Sequence, residues 1–168
     1  NIPSPPVMLY CKGDISLLKT NCFSVVGSRR ASPKTLADCK KIAGELTLAF
    51  TVVSGVADGS DSAAVCGALD CGGKVICVLA NGFDRVYPAS AANLYRTVAG
   101  KGLLISEYPP DAVCKPYHFP VRNRIIAGLS RGVLVVAAAE KSGALITADY
   151  AADYGRDVFA FPYGIGSP

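Results

Sequence analysis

Apolar positions along the chain fall into short continuous runs, separated by stretches with helical spacing. Phe23-Ser24-Val25-Val26-Gly27 is an apolar run closed by glycine, the pattern of a buried strand. Ser32-Pro33 then offers a helix cap followed by proline at the first helical position. Leu36, Cys39, Ala43, Leu46 and Phe50 recur at steps of three and four, which is one apolar face of a helix. The alternation repeats. Thr51–Ser54 predicts a strand, followed by Gly55 and a small-residue helix around Ser62–Leu69. Lys74–Leu79 predicts the next strand, then a loop over Asn81–Pro88 and a helix over Ala91–Val98. Leu103–Ser106 and Val133–Val136 read as strands on either side of a helix over Val121–Leu129. A helix over Ala144–Tyr154 and a last strand over Asp157–Phe161 complete the series. Asn1–Asp14 holds three prolines and reads as an extended segment within a lead-in over residues 1–22.

The strand runs are continuous in apolar character, not alternating, which is expected of strands covered on both faces. The fold class is therefore α/β: a doubly wound, mainly parallel, extended Rossmann-like sheet in a three-layer α/β/α arrangement. The 168 residues fit a single domain over 1–168, with no internal repeat and no linker. In such sheets ligands bind outside the carboxyl ends of the strands, so the segments after each strand carry the candidate chemistry.

Composition narrows the class. With 51% hydrophobic and 18% charged residues, the chain is not disordered. No apolar stretch approaches the ~18–20 residues of a membrane span, and no basic segment precedes an apolar block, so neither a membrane nor a signal peptide is expected. Asn1 in place of Met points to a piece of a longer chain or a processed form. The net charge of +4 allows an anionic partner without requiring one. The seven cysteines include no C-x-x-C pair, and Cys22, Cys39, Cys66 and Cys77 lie in or beside apolar runs. Buried, reduced thiols and a cytoplasmic location are expected from that. His118 is the only histidine, so no metal site or catalytic triad built on histidines is expected. Asp61, Asp84 and Glu107 are scattered in sequence and define no acid–base pair.

Four strand ends offer donors to an anion. Gly27-Ser28-Arg29-Arg30 combines a bare backbone, a hydroxyl and two guanidinium groups at a helix entry; the alternative is a tight turn with solvated arginines. Ser54-Gly55 opens a second small-residue turn that runs to Asp61, which is expected to cap the following helix or hold an arginine. Arg122, Asn123 and Arg124 stand at the expected start of a helix, where the dipole disfavours cations; an anionic ligand or an internal carboxylate such as Glu107 or Asp111 would offset that. Lys141-Ser142-Gly143 begins another helix and is a further candidate phosphate cradle, without the ending of a P-loop.

Taken in order, these segments resemble the DNA-processing protein A family (DprA, also called Smf). The resemblance runs along nearly the whole chain: Leu9-Tyr10 with Gly13-Asp14, Val26-Gly27-Ser28-Arg29, Ser54-Gly55-Val56-Ala57 with Gly59 and Asp61, Gly82-Phe83-Asp84 with Tyr87-Pro88, and Ser106-Glu107-Tyr108-Pro109. The most specific block is Phe119-Pro120-Val121-Arg122-Asn123-Arg124-Ile125-Ile126-Ala127-Gly128-Leu129-Ser130, followed by Ser142-Gly143-Ala144-Leu145-Ile146-Thr147-Ala148 and Gly155-Arg156. The resemblance implies a Rossmann domain that binds single-stranded DNA in a basic pocket, protects incoming strands in natural transformation, loads the RecA recombinase and forms a homodimer. It implies no catalytic activity and no cofactor. Gly27, Ser28, Arg29, Arg122, Asn123, Arg124, Ser142 and Gly143 match the family's pocket motifs, and Tyr87, Tyr117 and Phe119 are candidate stacking groups. The chain departs from the family at Ser60, Val65, Asp58, Ala137 and Tyr163, changes that bear on affinity. The alternatives are a nucleotide-binding sensor or phosphoribohydrolase-like protein, although the Pro-Gly-Gly-x-Gly-Thr motif of the latter is missing, and an interaction domain for a recombinase or a second copy.

Overall fold

The computed structural model describes residues 2–162. Seven strands form one sheet: β1 (Tyr10–Gly13), β2 (Cys22–Val26), β3 (Thr51–Ser54), β4 (Val75–Leu79), β5 (Leu103–Ser106), β6 (Gly132–Val135) and β7 (Asp157–Ala160). Five α-helices connect them: α1 (Pro33–Leu46), α2 (Ser60–Asp70), α3 (Ala92–Lys101), α4 (His118–Leu129) and α5 (Gly143–Asp153). The strand order is β1-β5-β4-β3-β2-β6-β7. All neighbours are parallel except β1, which pairs antiparallel with β5. This is the doubly wound, mainly parallel α/β sheet expected of the sequence.

Side-chain alternation along the strands divides the core in two. Val25, Val52, Val75, Cys77, Leu79, Leu104 and Leu134 face α1, α2 and α3, where they meet Cys39, Ala43, Val65, Ala68 and Val98. Val26, Val53, Ile76, Val78, Leu103, Ile105 and Val133 face α4 and α5, where they meet Ile125, Ile126, Ala127, Ala144 and Ala151. Both faces are apolar, so the strand runs show no polar alternation. Ser32 caps α1, its hydroxyl accepting the Thr35 N–H at 3.1 Å, and Pro33 follows at the first helical position.

Three departures from the sequence expectations matter. The lead-in is not merely extended: it supplies the edge strand β1 and a 3-10 turn over Ile15–Lys19 whose Leu17 is buried. The last strand, β7, is exposed along its length, with Val158 and Phe159 43% and 49% exposed. And α4 begins at His118, not Val121. Pro120 falls in its first turn, where a missing N–H costs no intrahelical bond. No helix among the described residues is long and apolar enough to cross a membrane.

Candidate nucleic-acid interface

From β2 the chain moves outward through β3, β4 and β5, then returns to the other side of β2 as β6. The loops leaving β2 and β6 therefore part, and a crevice opens at the carboxyl edge between them. Here it is a cavity of about 730 Å³, walled by Gly27–Ser32 on one side and by Ala137–Ala139 with Ser142 and Gly143 on the other. Thr147 and Ile126 lie deeper in the same cleft.

Arg29 stands at the mouth. Its guanidinium carbon lies 4.7 Å above the centre of the Phe119 ring, and the Phe119 ring lies 5.7 Å from that of Tyr87. Arg29, Phe119, Tyr87, Asp58 and Arg122 also border a side recess of about 40 Å³. Arg29 and Arg30 are exposed and form no ion pair among the described residues. Tyr87 is positioned from below: Tyr95 of α3 donates to the Tyr87 carbonyl at 3.1 Å, and buried Asn81 lies 3.3 Å from the Tyr95 hydroxyl. His118, stacked on Tyr108 at 3.9 Å, bonds the Ala80 carbonyl through Nδ1 at 2.9 Å and so fixes the start of α4. Asn81, Tyr95 and Tyr108 were not among the sequence candidates; their roles depend on contacts that no local pattern reveals.

Arg122 is placed differently from its expected role. It lies in the second turn of α4, not the first, so the argument from a dipole-opposed helix start does not apply to it or to Asn123. It is only 4% exposed. Its Nη1 donates to the Gly55 carbonyl at 2.7 Å and also to the Val78 carbonyl, and its Nε donates to Asn123 Oδ1 at 3.2 Å. Asn123 passes the connection on, donating to the Gly143 carbonyl at 3.0 Å. Arg122 thus ties the ends of β3 and β4 to α4 and, through Asn123, to the start of α5.

Asp61 faces Arg122. It does not cap α2, whose N-cap is Gly59, but accepts backbone N–H bonds from Gly27 and Ala57. Burial pushes its carboxyl above the usual range, against the opposing pull of Arg122 and those two N–H groups. Burial likewise pushes the Arg122 guanidinium down, against Asp61. Gly55 is confined between the two: a Cβ there would lie 2.6 Å from both Arg122 Nη2 and Asp61 Oδ2. Ser54 donates to the Val25 carbonyl at 2.7 Å inside the core. Ser54 and Gly55 are therefore parts of the scaffold.

Arg124 points away from the cleft. Its Nη2 donates to both oxygens of Glu107, at 2.6 and 2.7 Å, beside Tyr150 of α5 and Tyr154 just after its end. The internal carboxylate that the sequence offered as an alternative is the one found. Ser28 accepts the Arg30 N–H at 3.1 Å, and its carbonyl accepts bonds from the backbone and the hydroxyl of Ser60. Lys141 is exposed, with φ +63°. Of the departures, Val65 is core, Asp58 accepts from Ser90 at 2.8 Å on the rim, Ala137 lines the cleft, and Tyr163 lies outside the described residues. No group of three or more His, Cys, Asp or Glu side chains among the described residues is arranged to hold a metal ion.

Comparison with known proteins gives a consistent result. The model of a family described as DNA recombination-mediator protein A matches residues 1–168. The DNA processing protein DprA of Streptococcus pneumoniae is 44% identical over 160 residues, covering 95% of this chain and 57% of the relative. Its crystal structure superposes with a TM-score of 0.93, covering 96% of this chain and 57% of that one. Protein Smf of Synechocystis is 43% identical over 166 residues, covering 96% of this chain and 42% of the relative. The DNA processing protein A of Helicobacter pylori, whose structure addresses its single-stranded DNA binding mode, superposes with a TM-score of 0.92 at 32% identity, covering 99% of this chain and 77% of that one. The chain spans about half the length of the curated relatives it matches.

Proposed function

The chain belongs to the DNA recombination-mediator protein A family, and from that premise we propose that it binds single-stranded DNA along the carboxyl edge of its sheet. The observation that carries this reading is the Arg29 guanidinium, in no ion pair among the described residues, resting on Phe119 beside Tyr87 at the mouth of the switch-point cleft. A cation stacked on half-buried Phe119 beside the exposed Tyr87 ring offers a phosphate contact and a face on which a base can stack, the two interactions that single-strand sites combine. Gly27, Ser28, Arg29, Arg30, Lys141, Ser142 and Gly143 form the contacting set, while Ser54, Gly55, Arg122 and Asn123 hold it in place. Arg124 acts from outside it.

In this reading the protein is a binding protein without catalytic turnover, in the cytoplasm. It protects incoming strands, loads RecA and works as a homodimer, with the 1–168 stretch as one domain. The Helicobacter pylori relative's single-stranded DNA binding supports the first part. The recombination-mediator description of the family supports the second.

Fluorescence anisotropy of a labelled single strand, with a duplex of the same sequence as control, tests it at two salt concentrations. Affinity for the single strand is expected to exceed that for the duplex and to fall with salt at a log–log slope of about −0.7 per phosphate contacted. Arg29→Ala is expected to weaken binding about tenfold, the effect of losing one stacked, charged contact, with no change in melting temperature. Equal binding of wild type and Arg29→Ala would remove Arg29 from the site.

A further inference from the structure

We propose that Asp58 gives the single-strand site a base preference. Its carboxylate accepts a hydrogen bond from the exocyclic amine of a nucleobase stacked on Tyr87, so that cytosine is favoured over a base with a carbonyl at the same ring position. This deepens the single-strand reading, on which it rests, by naming a residue that chooses the base.

A carboxylate is out of place in a site for a polyanion. Asp58, in the turn between β3 and α2, is exposed and borders the side recess together with Arg29, Tyr87, Phe119 and Arg122. A fixed negative charge beside the cation that a phosphate must reach works against binding of the backbone. Asp58 forms no ion pair among the described residues. One bond holds it: the Ser90 hydroxyl donates to Oδ1 at 2.8 Å. Oδ2 accepts no hydrogen bond among the described residues. A carboxylate has about four lone-pair sites, so most of its capacity to accept is open.

The other polar side chains of the recess are engaged. Arg122 Nη1 serves the carbonyls of Gly55 and Val78. The Asn81 amide serves the carbonyls of Gly82 and Arg85 and the hydroxyl of Tyr95. Arg29 is the phosphate contact of the single-strand reading. Asp58 is left to meet the edge of a base.

Size sets what enters. The recess, at about 40 Å³, admits a water-sized group and not a ring. Tyr87 is 46% exposed, and its ring lies 5.7 Å from that of half-buried Phe119. A base stacked on Tyr87 therefore keeps its ring outside and reaches in with one substituent. An exocyclic amine has that size and donates, and an ionised carboxylate only accepts. A carbonyl oxygen in the same place would face the carboxylate with no proton between them. Aspartate accepting from the cytosine N4 amine is an established pairing between protein and base.

The test measures fluorescence anisotropy of labelled oligodeoxycytidine and oligodeoxyuridine of one length on the full chain. The two bases share a ring and differ in the amine or carbonyl at position 4 and in the proton on N3. A homopolymer offers the same base in every register. The wild-type protein is expected to bind oligodeoxycytidine about tenfold tighter, the value of one charge-assisted hydrogen bond. Asp58→Asn keeps the size of the side chain and an oxygen for Ser90, but its amide donates as well as accepts. This variant is expected to lose the preference and to bind oligodeoxyuridine more tightly than the wild type does, because the repelling charge is gone. Asp58→Ala is expected to lose the preference too. A role confined to holding Ser90 would lower the melting temperature of Asp58→Ala and leave the ratio of the two affinities unchanged. Equal binding of the two strands by the wild type overturns the proposal, as does a preference for oligodeoxycytidine that survives both substitutions. A preference for oligodeoxyuridine overturns it as well and gives the base edge to Arg29. If neither strand binds, the single-strand reading fails and the role of Asp58 falls with it.

Discussion

The guanidinium of Arg122 lies buried between the carbonyls of Gly55 and Val78, whereas that of Arg29 rests on Phe119 at the surface. Both belong to strand-end motifs, and burial separates their work. Removing the Arg122 side chain would strand two carbonyls and leave Asp61 facing an empty site. Breaking a buried charge arrangement of this kind costs about 3–5 kcal/mol. Arg122→Ala is therefore expected to lower the urea midpoint strongly, and Arg122→Lys to recover little of it, because a single ammonium cannot span the contacts of a planar fork. Arg29→Ala, by contrast, should move affinity and not stability. A stable Arg122→Ala protein with weakened DNA binding would return Arg122 to the contacting set.

At the scale of elements, β2 to β6 and the helices between them were legible because both faces of the sheet are apolar and each helix shows its own period. Ser32-Pro33 announced α1 through local chemistry alone. The start of α4 was not legible. The sequence pattern places it at Val121, yet a helix tolerates proline in its first turn, and the true start at His118 is set by a bond to Ala80 and stacking on Tyr108. That shift of three residues places Arg122 and Asn123 in the helix interior, while Arg124 of the same helix is held by Glu107. Strand β1 escaped notice for a related reason: its pairing with β5 is distant in sequence, and prolines precede it. The cleft residues Gly27 to Arg30, Ser142 and Gly143 were legible because they immediately follow strands or open helices. Arg124→Ala checks the revised placement. Its pair with Glu107 is partly buried, at 13% and 25% side-chain exposure, and is worth about 1–2 kcal/mol. The substitution should lower stability by that amount in chemical denaturation and leave single-strand affinity where it was. A tenfold loss of affinity would place Arg124 on the DNA path after all.

For the whole molecule, the two-faced sheet makes stability depend on keeping thiols neutral. Cys39 on α1 and Cys77 on β4 are fully buried on the same face of the sheet. Burial, reinforced by the nearby Asp61 charge, pushes Cys39 up to about 12 from an ordinary 9.0, and pushes Cys77 up as well. In the unfolded chain both ionise near the ordinary value. Between pH 9 and pH 12 the folded protein therefore binds more protons than the unfolded one, and stability falls as pH rises. Below pH 9 this contribution is fully present. In the interval each thiol removes about 1.4 kcal/mol per pH unit, so the pair removes nearly twice that. Urea unfolding at pH 8.5 and 10.5 should show a fall of several kcal/mol, reduced in a Cys39→Ala, Cys77→Ala double variant. Because Arg29, Arg30 and the start of α5 lie on loops outside this layer, native protein at pH 9 should keep its affinity for single strands. An equal alkaline loss in the double variant would locate the sensitivity in other groups.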